Sequence, residues 1–123
     1  MVRLKMWRQV MMKNTVILIT NDGMGRADAQ LQHTLIAKYF DLLLAGQDLP
    51  NAICFYTEGV KLAVEGSPVL NQLTALEEKG VRLILCSTCL NYFGLMDKVK
   101  VGIMGGMGDI LEAQIKAEKV ITL

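Results

Sequence analysis

No apolar run in the 123 residues approaches the roughly 20 needed to cross a bilayer, so a soluble body is expected. Neither sign of charge dominates: 13 Lys and Arg stand against 12 Asp and Glu, a formal net charge of +1. The charges are unevenly placed. Arg3, Lys5, Arg8 and Lys13 precede every acid, and the remainder, nine bases against twelve acids, is net negative. A body of that balance is a poor partner for nucleic acid. A secretory apolar segment is lacking, and Cys54, Cys86 and Cys89 are too few and odd in number for a disulfide framework, so a reducing, cytoplasmic setting is expected. His33 is the single histidine, with no acid or serine pattern beside it in sequence. With one CxxC and one distant cysteine it falls short of the two-pair spacing of structural zinc sites, and no metal is expected. Gly23-Met24-Gly25 does not complete GxGxxG, and Gly105 to Gly108 lacks the Lys-Ser/Thr of a P-loop, so no nucleotide or other cofactor is expected either.

Hydrophobic residues make up 52% of the chain and charged residues 20%, the composition of a single folded domain with a rich core. Residues 1–13 (MVRLKMWRQVMMK) show only a ragged helical pattern and are read as a mobile basic tail or linker remnant; one domain is expected over 14–123. Too few of those 13 residues are apolar for a membrane-surface helix.

Thr15 to Thr20 (TVILIT) reads as a first strand, and Asn21 to Gly25 as a turn. Asp28 or a neighbour opens a helix to about Ala45, with Leu31, Leu35, Tyr39 and Leu42 at helical spacing and Gly46 and Pro50 beyond its end. Asn51 to Thr57 is a second strand with Cys54 at its middle, where a cysteine serves as core. Val60 to Val64 reads as a short turn. Ser67-Pro68 is an N-cap followed by proline and starts a helix that ends at Gly80. Val81 to Leu85 is a third strand and Val99 to Met104 a fourth. After the Gly105 to Gly108 turn, Asp109 and Glu112 have capping-box spacing for the last helix, and Lys119 to Leu123 is the final strand. Strands alternating with helices imply βαβ units and a parallel sheet, in which ligands collect at the carboxyl ends of the strands.

Four loops meet that edge, and Asn21, Asp22, Glu58, Gly59, Ser87, Thr88, Gly106, Met107 and Gly108 are the candidates to line a site there. Glu58 is read as a lining residue and not as a base. The chemistry centres on VRLILCSTCLNYFG, residues 81 to 94. Cys86 falls at the tip of a strand, facing a helix start with Ser87 or Thr88 as N-cap, where unpaired N–H groups favour a thiolate. The competing reading is a buried cysteine acting as a small hydrophobe. Two reactions suit a reactive pair. One is sulfur carriage, with Cys86 holding a terminal sulfur as a persulfide, the helix-start N–H groups and Ser87 or Thr88 steadying it, and Cys89 resolving it. The other is thiol-disulfide exchange through CxxC, against which stands the absence of a proline near the thiols.

CFYTEGV (54–60), LILCSTCLNYFGL (83–95) and GGMGDILEAQIKAEKVITL (105–123) together resemble the DsrE/TusD-like sulfur-relay family over nearly all of residues 14 to 123. NTVILITNDGMG and LCSTCL are most similar to the C-terminal domain of sulfurtransferase-like selenium metabolism proteins of the YedF type. The resemblance implies a three-layer α/β/α fold on a five-stranded parallel sheet, with Cys86 as the sulfur-accepting cysteine. It further implies homo-oligomers, trimers or hexamers, and a sulfur donor or acceptor acting in trans, such as a TusA-like protein. Selenium enters only through that family's setting, since no residue here distinguishes it from sulfur. A third reading is a non-enzymatic subunit that binds a protein partner with Cys86 inert.

Overall fold

A computed structural model of the protein describes residues 14–123. The basic tail expected over 1–13 lies outside the described residues. β1 (Thr15–Ile19), β2 (Ala52–Phe55) and β3 (Arg82–Cys86) form the centre of a five-stranded sheet, with β4 (Ile103–Gly105) and β5 (Lys119–Thr122) at its edges. The order is β4-β3-β2-β1-β5 and every pairing is parallel. The central strands are branched aliphatics buried on both faces, as a parallel sheet demands. This is the α/β fold expected.

The helices are α1 (Ala29–Ala45), α2 (Leu70–Glu78), the short α3 (Ser87–Tyr92) and α4 (Met107–Lys116). Right-handed crossovers carry the chain one way from β1 to β4, which puts α1 and α2 on one face, where they pack together. The return from β4 to β5 runs the other way and lays α4 against β3 and β4 on the opposite face. The two outer layers are therefore unequal. Leu111 and Ile115 of α4 and Ile103 of β4 face solvent, Ile115 with 73% of its surface free.

Local signals explain most boundaries. Asp28 caps α1 by accepting the Leu31 N–H at 3.1 Å. Ser67 Oγ does accept the Val69 N–H at 3.2 Å, as a capping serine should. However, Val69 sits at φ −121°, so regular helix begins only at Leu70. The turn expected at Val60 to Val64 is a longer 3-10 segment, Thr57–Ala63. The fourth strand is shorter than its sequence suggests. Val99 makes an isolated antiparallel bridge to Val64, and Gly102 adopts φ 85°, which delays β4 to Ile103. The last helix starts two residues before Asp109: Gly106 is its N-cap, and the Asp109 carboxylate reaches back to accept the Gly106 N–H at 2.9 Å. Among the described residues no helix is long and apolar enough to cross a membrane.

Candidate functional site

The four loops converge on the carboxyl edge of β1 to β4. In register, Cys86 lies beside Gly105, which brings the end of β3 against the Gly106 to Gly108 turn. The end of β2 is tied to β1 by the Tyr56 N–H on the Ile19 carbonyl and by the Thr57 hydroxyl, which lies against the Thr20 and Tyr56 carbonyls. It is tied to α3 by the Thr57 N–H, which Cys89 Sγ accepts at 3.0 Å.

The two thiols of the CxxC sit together. Their sulfurs are 3.0 Å apart, with the Cys89 thiol donating to Cys86. They are not equivalent. Cys86 retains only 2% of its surface, whereas Cys89 is half-buried. Cys86 is thus as buried as the competing reading had it, and the expected N-cap, Ser87 or Thr88, is corrected: Cys86 itself is the N-cap of α3, and its side chain makes no capping hydrogen bond. Its sulfur instead lies against that of Cys89, one turn further along. Burial pushes the Cys89 thiol above its ordinary value and its bond to Cys86 adds to this, while the Thr57 N–H pulls the other way.

The remaining candidates divide by use. Gly59 is buried, and a side chain there would place Cβ 2.1 Å from the Ile19 carbonyl oxygen. Its absence of a side chain serves the packing of β2's exit on β1, and it does not line a site. Asn21 is engaged within its own loop, donating to the Gly25 carbonyl at 2.7 Å and to Gln32 Oε1 at 3.3 Å. Glu58 pairs with Lys61 at 2.5 Å, and the Lys61 ammonium lies 4.6 Å from the centre of the Phe93 ring. Asp22 stands 3.2 Å from His33 Nε2, close but not aligned as a hydrogen bond, so the histidine read as lacking an acidic neighbour has one across the loop. Asp22, His33, Lys61, Ser67 and Phe93 border a shallow groove of about 370 Å³. Ser87 is half-buried and Thr88 exposed, and among the described residues neither hydroxyl bonds to either sulfur. The backbone donor that does reach a thiol is the Thr57 amide, on Cys89. Met107 and Gly108 are exposed at the start of α4, beside the Cys86 strand end.

Two residues that sequence reasoning passed over organise this edge. Gln32 is a buried amide on α1 whose Oε1 accepts the Ala27 N–H at 2.9 Å and whose Nε2 donates to the Asp22 carbonyl at 3.1 Å. It fastens the 21–27 loop from within. Its polarity inside the apolar stripe of α1 was the available signal. Thr57 adopts φ 49°, which glycine or asparagine would have advertised and threonine does not. Among the described residues no three His, Cys, Asp or Glu side chains converge as metal ligands.

The model of the DsrE/DsrF-like family matches residues 13–123. The chain belongs to that family. Solved structures similar to this DsrE-like chain include protein MTH1491 of unknown function from Methanobacterium thermoautotrophicum. It is 22% identical, has a TM-score of 0.66, and the match covers 90% of this chain and 98% of that one. The ychN protein from E. coli is 16% identical with a TM-score of 0.64, covering 89% and 97% of the two chains. The conserved protein BT1422 of unknown function from Bacteroides thetaiotaomicron is 16% identical with a TM-score of 0.63, covering 89% and 95%. At these identities the three share the fold of the DsrE-like chain. No curated protein sequence matches it.

Proposed function

We propose that this DsrE-like chain is a sulfur carrier in which the Cys86–Cys89 pair takes a terminal sulfur from a persulfide donor and passes it to an acceptor. The supporting observation is the 3.0 Å contact between an inner and an outer thiol at the carboxyl edge of a parallel sheet. The burial of Cys86 exchanges the roles that the family resemblance assigned. Cys89 is the sulfur that meets the donor and Cys86 is the thiol behind it. The Cys89 thiolate attacks the outer sulfur of R–S–SH, forming Cys89–S–SH and releasing R–S⁻. An acceptor thiolate then takes that outer sulfur and returns the Cys89 thiolate. The Cys86 thiolate can alternatively attack the inner sulfur of the Cys89 persulfide, closing a Cys86–Cys89 disulfide and releasing HS⁻.

The same proximity favours a second reading, a thiol-disulfide oxidoreductase: a substrate disulfide would take the two electrons and two protons by exchange, leaving two thiols, while the Cys86 and Cys89 sulfurs close from 3.0 Å to the bonded distance of about 2.05 Å. Donor and acceptor are proteins or low-molecular-weight thiols of the cytoplasm in this proposal, a TusA-like protein being one. Selenium in place of sulfur follows from the likeness to YedF-type domains. The solvent-facing apolar side of α4, with Leu111 and Ile115, is the surface proposed for assembly into trimers or hexamers.

Incubation with glutathione persulfide, followed by fragment-resolved mass spectrometry, tests the carrier. A gain of about 32 Da is expected on Cys89, for a persulfide of the kind that thiols form reversibly. Cys89→Ser abolishes it, Cys54→Ser leaves it intact, and Cys86→Ser prolongs its lifetime. Normal loading of the Cys89→Ser protein overturns the assignment. A reversible disulfide with no persulfide at any time selects the oxidoreductase.

A further inference from the structure

Thr57 is a β-branched residue in left-handed backbone, φ 49°, immediately beyond β2. Such a conformation is disfavoured for a β-branched side chain and persists only where its surroundings impose it. Among the described residues the other positive-φ positions are six glycines, Gly23, Gly25, Gly66, Gly80, Gly94 and Gly102, and one asparagine, Asn14, the residue types that tolerate it. Thr57 is neither. Two features hold the threonine in place. Its hydroxyl lies within hydrogen-bonding distance of the Thr20 and Tyr56 carbonyls, and Gly59 packs the following turn directly onto the Ile19 carbonyl. The consequence is local and specific. The Tyr56 N–H completes the ladder to β1, while the next N–H, that of Thr57, points to Cys89 Sγ at 3.0 Å.

We propose that Thr57 is a positioning residue, whose hydroxyl fixes a strained turn so that its amide stabilises negative charge on the Cys89 sulfur. This rests on the role given to Cys89 above and deepens it. Charge develops on that sulfur twice: when the thiol ionises to attack the donor, and when the outer sulfur departs to the acceptor and leaves a thiolate. A backbone N–H already in place strengthens as its acceptor becomes an anion, with no reorganisation at the moment of reaction. The six-residue helix α3 does not offer Cys89 this service, because Cys89 lies within its first turn and not ahead of it. Other titratable groups on the elements packed against α3 are Cys86 and, at the far end of the same strand, Arg82, the mutually paired Glu58 and Lys61, and Asp97 and Lys98 of the next 3-10 turn; of these only Cys86 bonds to Cys89 among the described residues.

The test uses the full chain and two readouts. In the wild type, the Thr57 amide resonance is expected to shift with pH along the same midpoint as iodoacetamide modification of Cys89, and to lose that transition in Cys89→Ala. Thr57→Val keeps the β-branch and the N–H but removes the hydroxyl. It is expected to move the Cys89 midpoint upward and slow modification at pH 7 by about tenfold, one pH unit of midpoint being a factor of ten. Thr57→Ser, which restores the hydroxyl, is expected to return the wild-type midpoint. A purely structural role would lower the melting temperature of Thr57→Val and leave the midpoint where it was, and that result overturns the proposal. Should Thr57→Val fail to fold, a wild-type Thr57 amide that does not follow Cys89 overturns it equally. The two readings fail separately. Sulfur loading on Cys89 with no effect of Thr57→Val removes only the role of Thr57, whereas undiminished loading of Cys89→Ser removes the carrier assignment itself.

Discussion

Cys54 and Cys86 lie on adjacent strands of one sheet, and Cys54 stands beside Ile84, so two residues along the strand separate them. Both are buried, at 0% and 2% exposure. Around Cys54 the sheet is at its most complete, with β1 on one side and β3 on the other, and burial raises its thiol to about 11. At Cys86 the ladder is ending. A helix begins, a neighbouring loop turns left-handed, and a second thiol comes within 3.0 Å. Burial alone therefore does not distinguish these two cysteines. What differs is the company at the strand end, where backbone groups are released from the ladder and available to a sulfur.

That contrast can be tested most severely by reactivity. Cys89 should be alkylated in the native protein, Cys86 more slowly, and Cys54 only on global opening. A typical domain stability of 5–15 kcal/mol makes the last at least about a thousandfold slower than an open thiol. Comparable native-state rates at Cys54 and Cys89, read by peptide mass spectrometry, would erase the distinction. The rim's dependence on close approach is tested next by Gly59→Ala. Its Cβ would fall 2.1 Å from the Ile19 carbonyl oxygen, so a loss of about 3 kcal/mol or more is expected in urea titrations. A smaller effect is expected from pH. Cys54 keeps its proton in the folded state up to about 11, above the ordinary 9.0, while the unfolded chain loses it earlier. Its contribution is therefore complete below about pH 9 and is lost as pH climbs toward 11, by roughly 2–3 kcal/mol. Cys54→Val should flatten that alkaline decline in the urea midpoint. The smallest change in fold stability is expected at Ile115, exposed on α4, where Ile115→Lys should stay within about 0.5 kcal/mol. The same variant should nevertheless shift sedimentation toward the monomer if that face joins copies.

The interior was the more legible of the two regions. The runs TVILI, AICF and RLILC are recognisable as buried strands because their burial leaves no choice of face. Asp28 marks the start of α1 by chemistry that is local in sequence. The DsrE-like character was carried by CFYTEGV, LILCSTCLNYFGL and GGMGDILEAQIKAEKVITL together. The rim was read less well, for reasons that are equally physical. Whether Cys86 faces the helix or caps it turns on one residue of register, which no periodicity in a six-residue helix can resolve. The Thr57 turn depends on the Thr20 carbonyl just beyond β1, far away in sequence. Gln32 shares a face with Ile36 and Phe40, but the partners of its amide lie in the 21–27 loop, and no pattern along α1 names them.

The strand order also governs how the molecule is put together. β1 finds β2 after one helix, but its other neighbour is β5, with Val16 beside Val120, and the Leu123 N–H closes on the Leu18 carbonyl. Joining segments so distant closes the longest loop in the sheet, so assembly of that edge is expected to come late in folding. Until it occurs, β1 presents a bare, apolar, hydrogen-bonding margin to any other chain, and crowded refolding should be limited by self-association there.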